Sequence, residues 1–166
     1  MNIKLLIMDV DGVLTDGKIN YTSSGEEIKS FHVRDGLGIK IAKKYGIELA
    51  IISARYSKGT EIRAKELGID HVYQGHFEKL DVYEELKGKL ELTDDKIAFI
   101  GDDLNDIPIL KRVGLPATVA DAPDVVKRFA QIVTPQTGGN GAVRHLIEII
   151  LKRNVKWEEI VNSYSI

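Results

Sequence analysis

Residues 4–17, Lys4-Leu5-Leu6-Ile7-Met8-Asp9-Val10-Asp11-Gly12-Val13-Leu14-Thr15-Asp16-Gly17, decide the fold. Lys4 to Met8 is a short apolar run of the kind that fills a strand buried on both faces, and it stops abruptly at Asp9. Two carboxylates therefore stand at the carboxyl end of a predicted parallel strand. In an open α/β sheet, ligands bind at that edge, in the crevice where the strand order reverses. Asp9 and Asp11 share strand parity, so their side chains are expected to converge on one small volume, while Gly12 lets the backbone turn close to a ligand. Carboxylates packed that closely repel unless a cation lies between them. Mg²⁺ is the simplest such ion, because it takes oxygen ligands and binds through one or two carboxylates together with substrate phosphate oxygens.

Three more apolar runs end in polar chemistry. Ile47 to Ile52 is followed by Ser53-Ala54-Arg55, and Ser53 reads either as a helix N-cap or as a ligand to an anion. His71 to Tyr73 is followed by a helix that begins at Lys79, where the macrodipole disfavours a cation, so Lys79 is expected to have another task. Lys96 to Ile100 runs into Gly101-Asp102-Asp103-Leu104-Asn105-Asp106. Helices are expected at Leu37 to Tyr45, closed by Gly46, and at Lys58 to Leu67, closed by Gly68. Short strands at Leu115 to Val119 and Gln131 to Val133, joined by a helix near Asp124 to Phe129, continue the sheet, and a long helix follows Gly138-Gly139-Asn140-Gly141. Lys18 to Phe31 reads as a β-hairpin inserted between the first strand and its crossover helix.

Composition narrows the function classes. The chain's 166 residues suffice for one α/β domain spanning 1–166. A net charge of −2, with both signs interspersed, gives no reason to expect a nucleic acid or an anionic membrane as partner. With no Cys there are no disulfides and no thiolate metal ligands. Neither a signal-peptide pattern nor an apolar run of membrane-spanning length occurs, so a cytoplasmic protein is expected.

Taken alone, Asp9-Val10-Asp11-Gly12 also fits a solvated turn or a calcium loop. Taken with Ser53, Lys79 and Gly101-Asp102-Asp103, it resembles the four motifs of the haloacid dehalogenase-like phosphatases. The resemblance implies a doubly wound, Rossmann-like, mostly parallel sheet with helices on both faces. It implies Asp9 as nucleophile, Asp11 as acid/base, Ser53 as phosphoryl ligand and Lys79 as the neutralising cation. Mg²⁺ would be bound by Asp9, Asp102 and the backbone carbonyl of Asp11, with Asp103 and Asp106 holding its waters or Lys79. The hairpin occupies the position of that family's cap domain but is far too short to be one, so it is expected to serve as a small lid or an assembly surface.

Phe31-His32-Val33-Arg34-Asp35-Gly36, the hairpin and the glycine-rich entry to the last helix further resemble one branch, the capless sugar-acid phosphatases that act on substrates such as 3-deoxy-D-manno-octulosonate 8-phosphate. That branch implies a role in lipopolysaccharide precursor synthesis and a homotetramer whose subunits complete one another's sites. Substrate contacts are then expected from His32, Val33, Arg34, Asp35, Gly36, Lys40, Arg55, Arg63 and Lys79, with Arg144 contributed by a neighbour. His145 stands where the branch carries Glu, so the resemblance assigns that position no role. Two related substrate readings stay open, an acylneuraminate 9-phosphate and a broad range of sugar phosphates. A phosphoacceptor signalling module also places carboxylates and a Lys around Mg²⁺, but it has no use for the second Asp of the first motif. A non-catalytic scaffold would leave all four motifs unexplained.

Overall fold

The computed structural model describes residues 2–154 and 157–165. In chain order the elements are β1 (Leu5–Met8), β2 (Asn20–Tyr21), β3 (Glu27–Ile28), α1 (Val33–Lys44), β4 (Glu48–Ser53), α2 (Lys58–Leu67), β5 (His71–Gln74) and α3 (Lys79–Lys89). There follow β6 (Ile97–Ile100), α4 (Ile107–Leu110), β7 (Leu115–Thr118), α5 (Asp124–Lys127), β8 (Ile132–Val133), α6 (Ala142–Asn154) and α7 (Trp157–Asn162). Among the described residues, one parallel sheet runs in the order β5-β4-β1-β6-β7-β8, and β2 and β3 form a separate antiparallel ribbon.

Period-two alternation divides the core between the two faces of the sheet. Leu6, Met8, Leu49, Ile51, Ala98 and Ile100 pack with residues of α1, α2, α6 and α7. Their neighbours Leu5, Ile7, Ala50, Ile52, Ile97 and Phe99 pack with residues of α3, α4 and α5. Strands covered on both faces must be apolar throughout, which is why β1 and β6 read as unbroken hydrophobic runs.

The helix expected from Leu37 begins earlier, at Val33. His32 is its N-cap, its ring accepting the Arg34 N–H, so Val33 to Gly36 form the first helical turn. Gly36 and Gly38 lie inside α1. They are needed inside the helix because α1 packs closely on its neighbours: a Cβ on Gly36 would meet the Arg63 guanidinium at 2.4 Å, and one on Gly38 would meet Arg144 Cδ at 2.9 Å. The short turn Leu104–Asp106, α4 and α7 carry too little sequence periodicity to be predicted.

Candidate active site

The three strands with polar ends lie side by side, β4-β1-β6, which brings Ser53, Asp9 and Asp102 to one edge. From β1 the chain moves outward to β4 and β5 and then returns to the other side as β6, so the strand order reverses beside β1. A cleft of about 130 Å³ opens there, walled by Asp9, Asp11, Ser53, Arg55, Asp102 and Asn105.

Asp9 continues the parity of Leu5 and Ile7, which face α3, and Lys79 is the first residue of α3. Lys79 Nζ lies 3.0 Å from Asp9 Oδ1 and donates to Asp106 Oδ1 at 2.6 Å, with its side chain 1% exposed. Asp106 is equally buried, and its Oδ2 accepts the Asp102 and Asp103 N–H groups at 2.8 and 3.2 Å. Both Asp106 oxygens are therefore committed. Asp103 caps the turn after β6 by accepting the Leu104 N–H. Asp102 Oδ1 is buried and has no hydrogen-bond partner among the described residues.

Asp9, Asp102 and Asp106 each place a carboxylate oxygen within 4.8 Å of the other two. One ammonium cannot balance three carboxylates out of water. Burial, with the Asp106 carboxylate nearby, pushes Asp9 up to about 6 despite Lys79. Burial, with Asp9, Asp106 and Asp103 around it, pushes Asp102 to about 8. Such groups ionise readily only with a further cation beside them. The donor set fits Mg²⁺, which Asp9 and the unpartnered Asp102 would hold, since Asp106 is already taken. Gly12 keeps the place open, because a Cβ there would stand 2.1 Å from Asp102 Oδ2.

Asp11 reaches the same cleft as Asp9, though not by strand parity. The strand ends at Met8, and Val13, Leu14 and Thr15 all donate their N–H groups to the Val10 carbonyl in a tight turn, so strand parity does not extend to Asp11. Its carboxylate pairs with Lys29 of the hairpin, and the carboxylates gathered around Asp9 are Asp102 and Asp106 instead. Ser53 does not cap a helix either. It closes β4 with 2% exposure, while the N-cap of α2 is Ser57, four residues later.

The residues expected to read the substrate separate into groups. Arg55 lines the cleft, with Glu27 Oε2 at 2.6 Å from its Nη2. Arg34, Arg144 and His145 line a second depression with Gln136 and Glu148. Asp35 is buried and accepts the Arg144 N–H at 2.8 Å, which joins the start of α1 to the start of α6. Arg63 lies outside the cleft, stacked on Phe31 and paired with Glu66, because it covers Gly36. Val33 and Lys40 are exposed on α1 and do not line the cleft. Sequence reading missed Lys29, Glu27 and Asn105, which no pattern in the sequence marks.

A family model described as haloacid dehalogenase-like hydrolase matches residues 69–147. The chain is 46% identical over 158 residues to the 3-deoxy-D-manno-octulosonate 8-phosphate phosphatase of Escherichia coli K12, covering 95% of this chain and 84% of that relative. Among solved structures, a probable YrbI family phosphatase from Pseudomonas syringae superposes with a TM-score of 0.97 at 43% identity, over 99% of this chain and 93% of the other. The 3-deoxy-D-manno-octulosonate 8-phosphate phosphatase of Moraxella catarrhalis, solved with magnesium, phosphate and KDO, gives 0.95 at 42% identity, over 98% and 93%.

Proposed function

The chain belongs to the haloacid dehalogenase-like hydrolases, and on that footing we propose that it is a Mg²⁺-dependent phosphatase of a sugar-acid phosphate, 3-deoxy-D-manno-octulosonate 8-phosphate. The observation that carries the reading is the placement of Asp9 at the strand-order reversal, paired with buried Lys79 and next to the unpartnered Asp102.

A carboxylate approaching a phosphate dianion meets like-charge repulsion, on the order of 4 kcal/mol per unit pair at 4 Å and an effective dielectric of 20. Lys79, fixed by Asp106, offsets part of it without reorganising. Asp9 and Asp102 would hold Mg²⁺, which would supply further neutralisation of the phosphoryl charge. An Asp9 oxygen attacks phosphorus and the bond to the sugar oxygen breaks, while Asp11 gives that oxygen a proton. Water then attacks the aspartyl phosphate, Asp11 takes back a proton, and phosphate leaves. Ser53 donates its hydroxyl to the transferring group.

A sugar acid carries a carboxylate distant from its phosphate, which calls for a second cationic cluster. Arg34 and Arg144 supply cationic forks for its carboxylate, in a homotetramer whose subunits lend them to one another's clefts. Exposed Ile19, Tyr21 and Ile28 on the hairpin, or the C-terminal segment Trp157 to Ile166, would make those contacts; Ile166 lies outside the described residues. The enzyme would work in the cytoplasm, in lipopolysaccharide precursor synthesis; no described helix is long and apolar enough to cross a membrane.

Measuring Mg²⁺-dependent phosphate release from a panel of phosphorylated sugar acids tests the assignment. Selective release from the octulosonate ester is expected. A stable phosphoprotein without turnover would instead indicate a phosphoacceptor module.

A further inference from the structure

The hairpin is tied to the cleft by charges that the mechanism above does not use. Lys29 follows β3 and its side chain is only 4% exposed, a degree of burial at which an ammonium needs partners. It has two, Asp11 Oδ1 and Glu27 Oε1, the latter at 3.3 Å. Glu27 in turn meets Arg55, which also lines the cleft. Burial resists the charge on Glu27, yet Ser57, Lys29 and Arg55 together hold its carboxyl below the usual range. The result is a continuous chain of ions, Asp11-Lys29-Glu27-Arg55, that leaves the cleft at Asp11, passes through the hairpin and returns to it at Arg55.

The turn after Val10 fixes the backbone at Asp11 but not its side chain. Among the described residues, Lys29 is the one hydrogen-bond partner of that carboxylate, and it takes Oδ1. Oδ2 is left for exchange of a proton with a leaving group or a water. An exposed surface pair would contribute little to such aim, whereas a buried ammonium held at two points restricts it strongly.

We propose that Lys29 is a positioning residue of the phosphatase reaction, clamping the Asp11 carboxylate over the cleft from the hairpin of its own chain, with Glu27 and Arg55 anchoring the clamp. The proposal rests on the phosphatase reading above. It also gives the hairpin a task within its own subunit, apart from any role in assembly.

The test compares the full-length protein with Lys29→Met and Lys29→Arg, each alone and combined with Asp11→Asn. The substrates are the sugar-acid phosphate, whose alkoxide leaving group needs a proton, and 4-nitrophenyl phosphate, whose leaving group does not. Lys29→Met should lower kcat/KM, which reports transfer to Asp9 and so the leaving-group step, by about 10- to 100-fold on the sugar phosphate and only a few-fold on the aryl ester. Lys29→Arg should recover much of the loss. In the Asp11→Asn background, Lys29→Met should cost almost nothing more. Glu27→Gln, which loosens the clamp without removing it, should show the same substrate bias at smaller amplitude, and it carries the test if Lys29→Met fails to fold. Equal losses of kcat/KM on the two esters, or a full loss still present in the Asp11→Asn background, would overturn the proposal. Turnover by the unaltered protein separately tests the reading beneath it.

Discussion

Lys79 Nζ stands 3.0 Å from Asp9 Oδ1 because the odd-numbered side chains of β1 face α3 and Lys79 is the first residue of that helix. The pairing sets a cation beside Asp9 at the cleft. Asp9→Asn, nearly isosteric, should reduce turnover by about 10³-fold or more while the protein remains folded, and should not lower its thermal midpoint, since one of three crowded carboxylates is removed. Steady-state kinetics beside a melting curve checks this; near-normal activity would rule out Asp9 as nucleophile.

Asp106 is fully buried and serves Lys79 and two backbone N–H groups at once. Asp106→Ala should destabilise the fold by about 3 kcal/mol, the scale for removing one partner of a buried charge, and should also lower kcat. Urea denaturation gives the stability change. A loss under about 0.5 kcal/mol would mean that Lys79 and the Asp102 loop are held by other contacts.

Asp9 and Asp102 set a pH dependence whose sign is opposite to that of ordinary ion-paired carboxylates. Both have folded values raised above 3.8, to about 6 and about 8. As pH rises from about 4, the unfolded chain gives up these protons first and the folded chain keeps them, so the folded state binds more protons and stability falls until both groups are ionised. Without metal, the melting temperature should therefore fall between pH 5 and pH 8.5, by about 2–4 °C for each kcal/mol lost. Added Mg²⁺ should raise it, more at pH 8 than at pH 5, because binding must displace the protons held at low pH. Melting curves with chelator and with Mg²⁺ across that range test this; an Mg²⁺ effect that does not grow with pH would contradict it.

Gly138 and Gly139 press against the nucleophile loop. A Cβ on Gly138 would lie 1.8 Å from the Gly12 carbonyl oxygen, and Gly139, at φ +69°, donates its N–H to the Val13 carbonyl. Gly138→Ala should displace the turn that carries Asp11, costing about 1–3 kcal/mol of stability and at least 10-fold in kcat. Retention of full activity would show that this contact does not shape the site.

The strand ends were legible in the sequence because each is a buried apolar run stopped by a polar group, and burial on both faces leaves no other pattern. For that reason the order of chemistry along the chain, Asp9, Ser53, Lys79, Asp102, matched the edge of the sheet. The aim of side chains beyond the strands was not legible. Asp11 lies in a turn where period-two parity no longer holds, and its partner Lys29 follows a two-residue strand too short to leave a pattern. The start of α1 was obscured by Gly36 and Gly38, whose small size answers to Arg63 and Arg144, residues distant in sequence. The separation of Arg34 and Arg144 from the Asp9 cleft is likewise a property of packing between α1 and α6, which single-sequence reading does not reach.

The central claim is covalent catalysis by Asp9, and trapping tests it most directly. The protein is mixed with Mg²⁺ and the sugar-acid phosphate, quenched in acid within milliseconds, digested and examined by mass spectrometry. A phosphoryl group is expected on the peptide that contains Asp9, forming no more slowly than the first turnover and absent from Asp9→Asn. Substrate consumed over that first turnover with no phosphorylated peptide, or with the phosphoryl group on a different residue, would contradict the account.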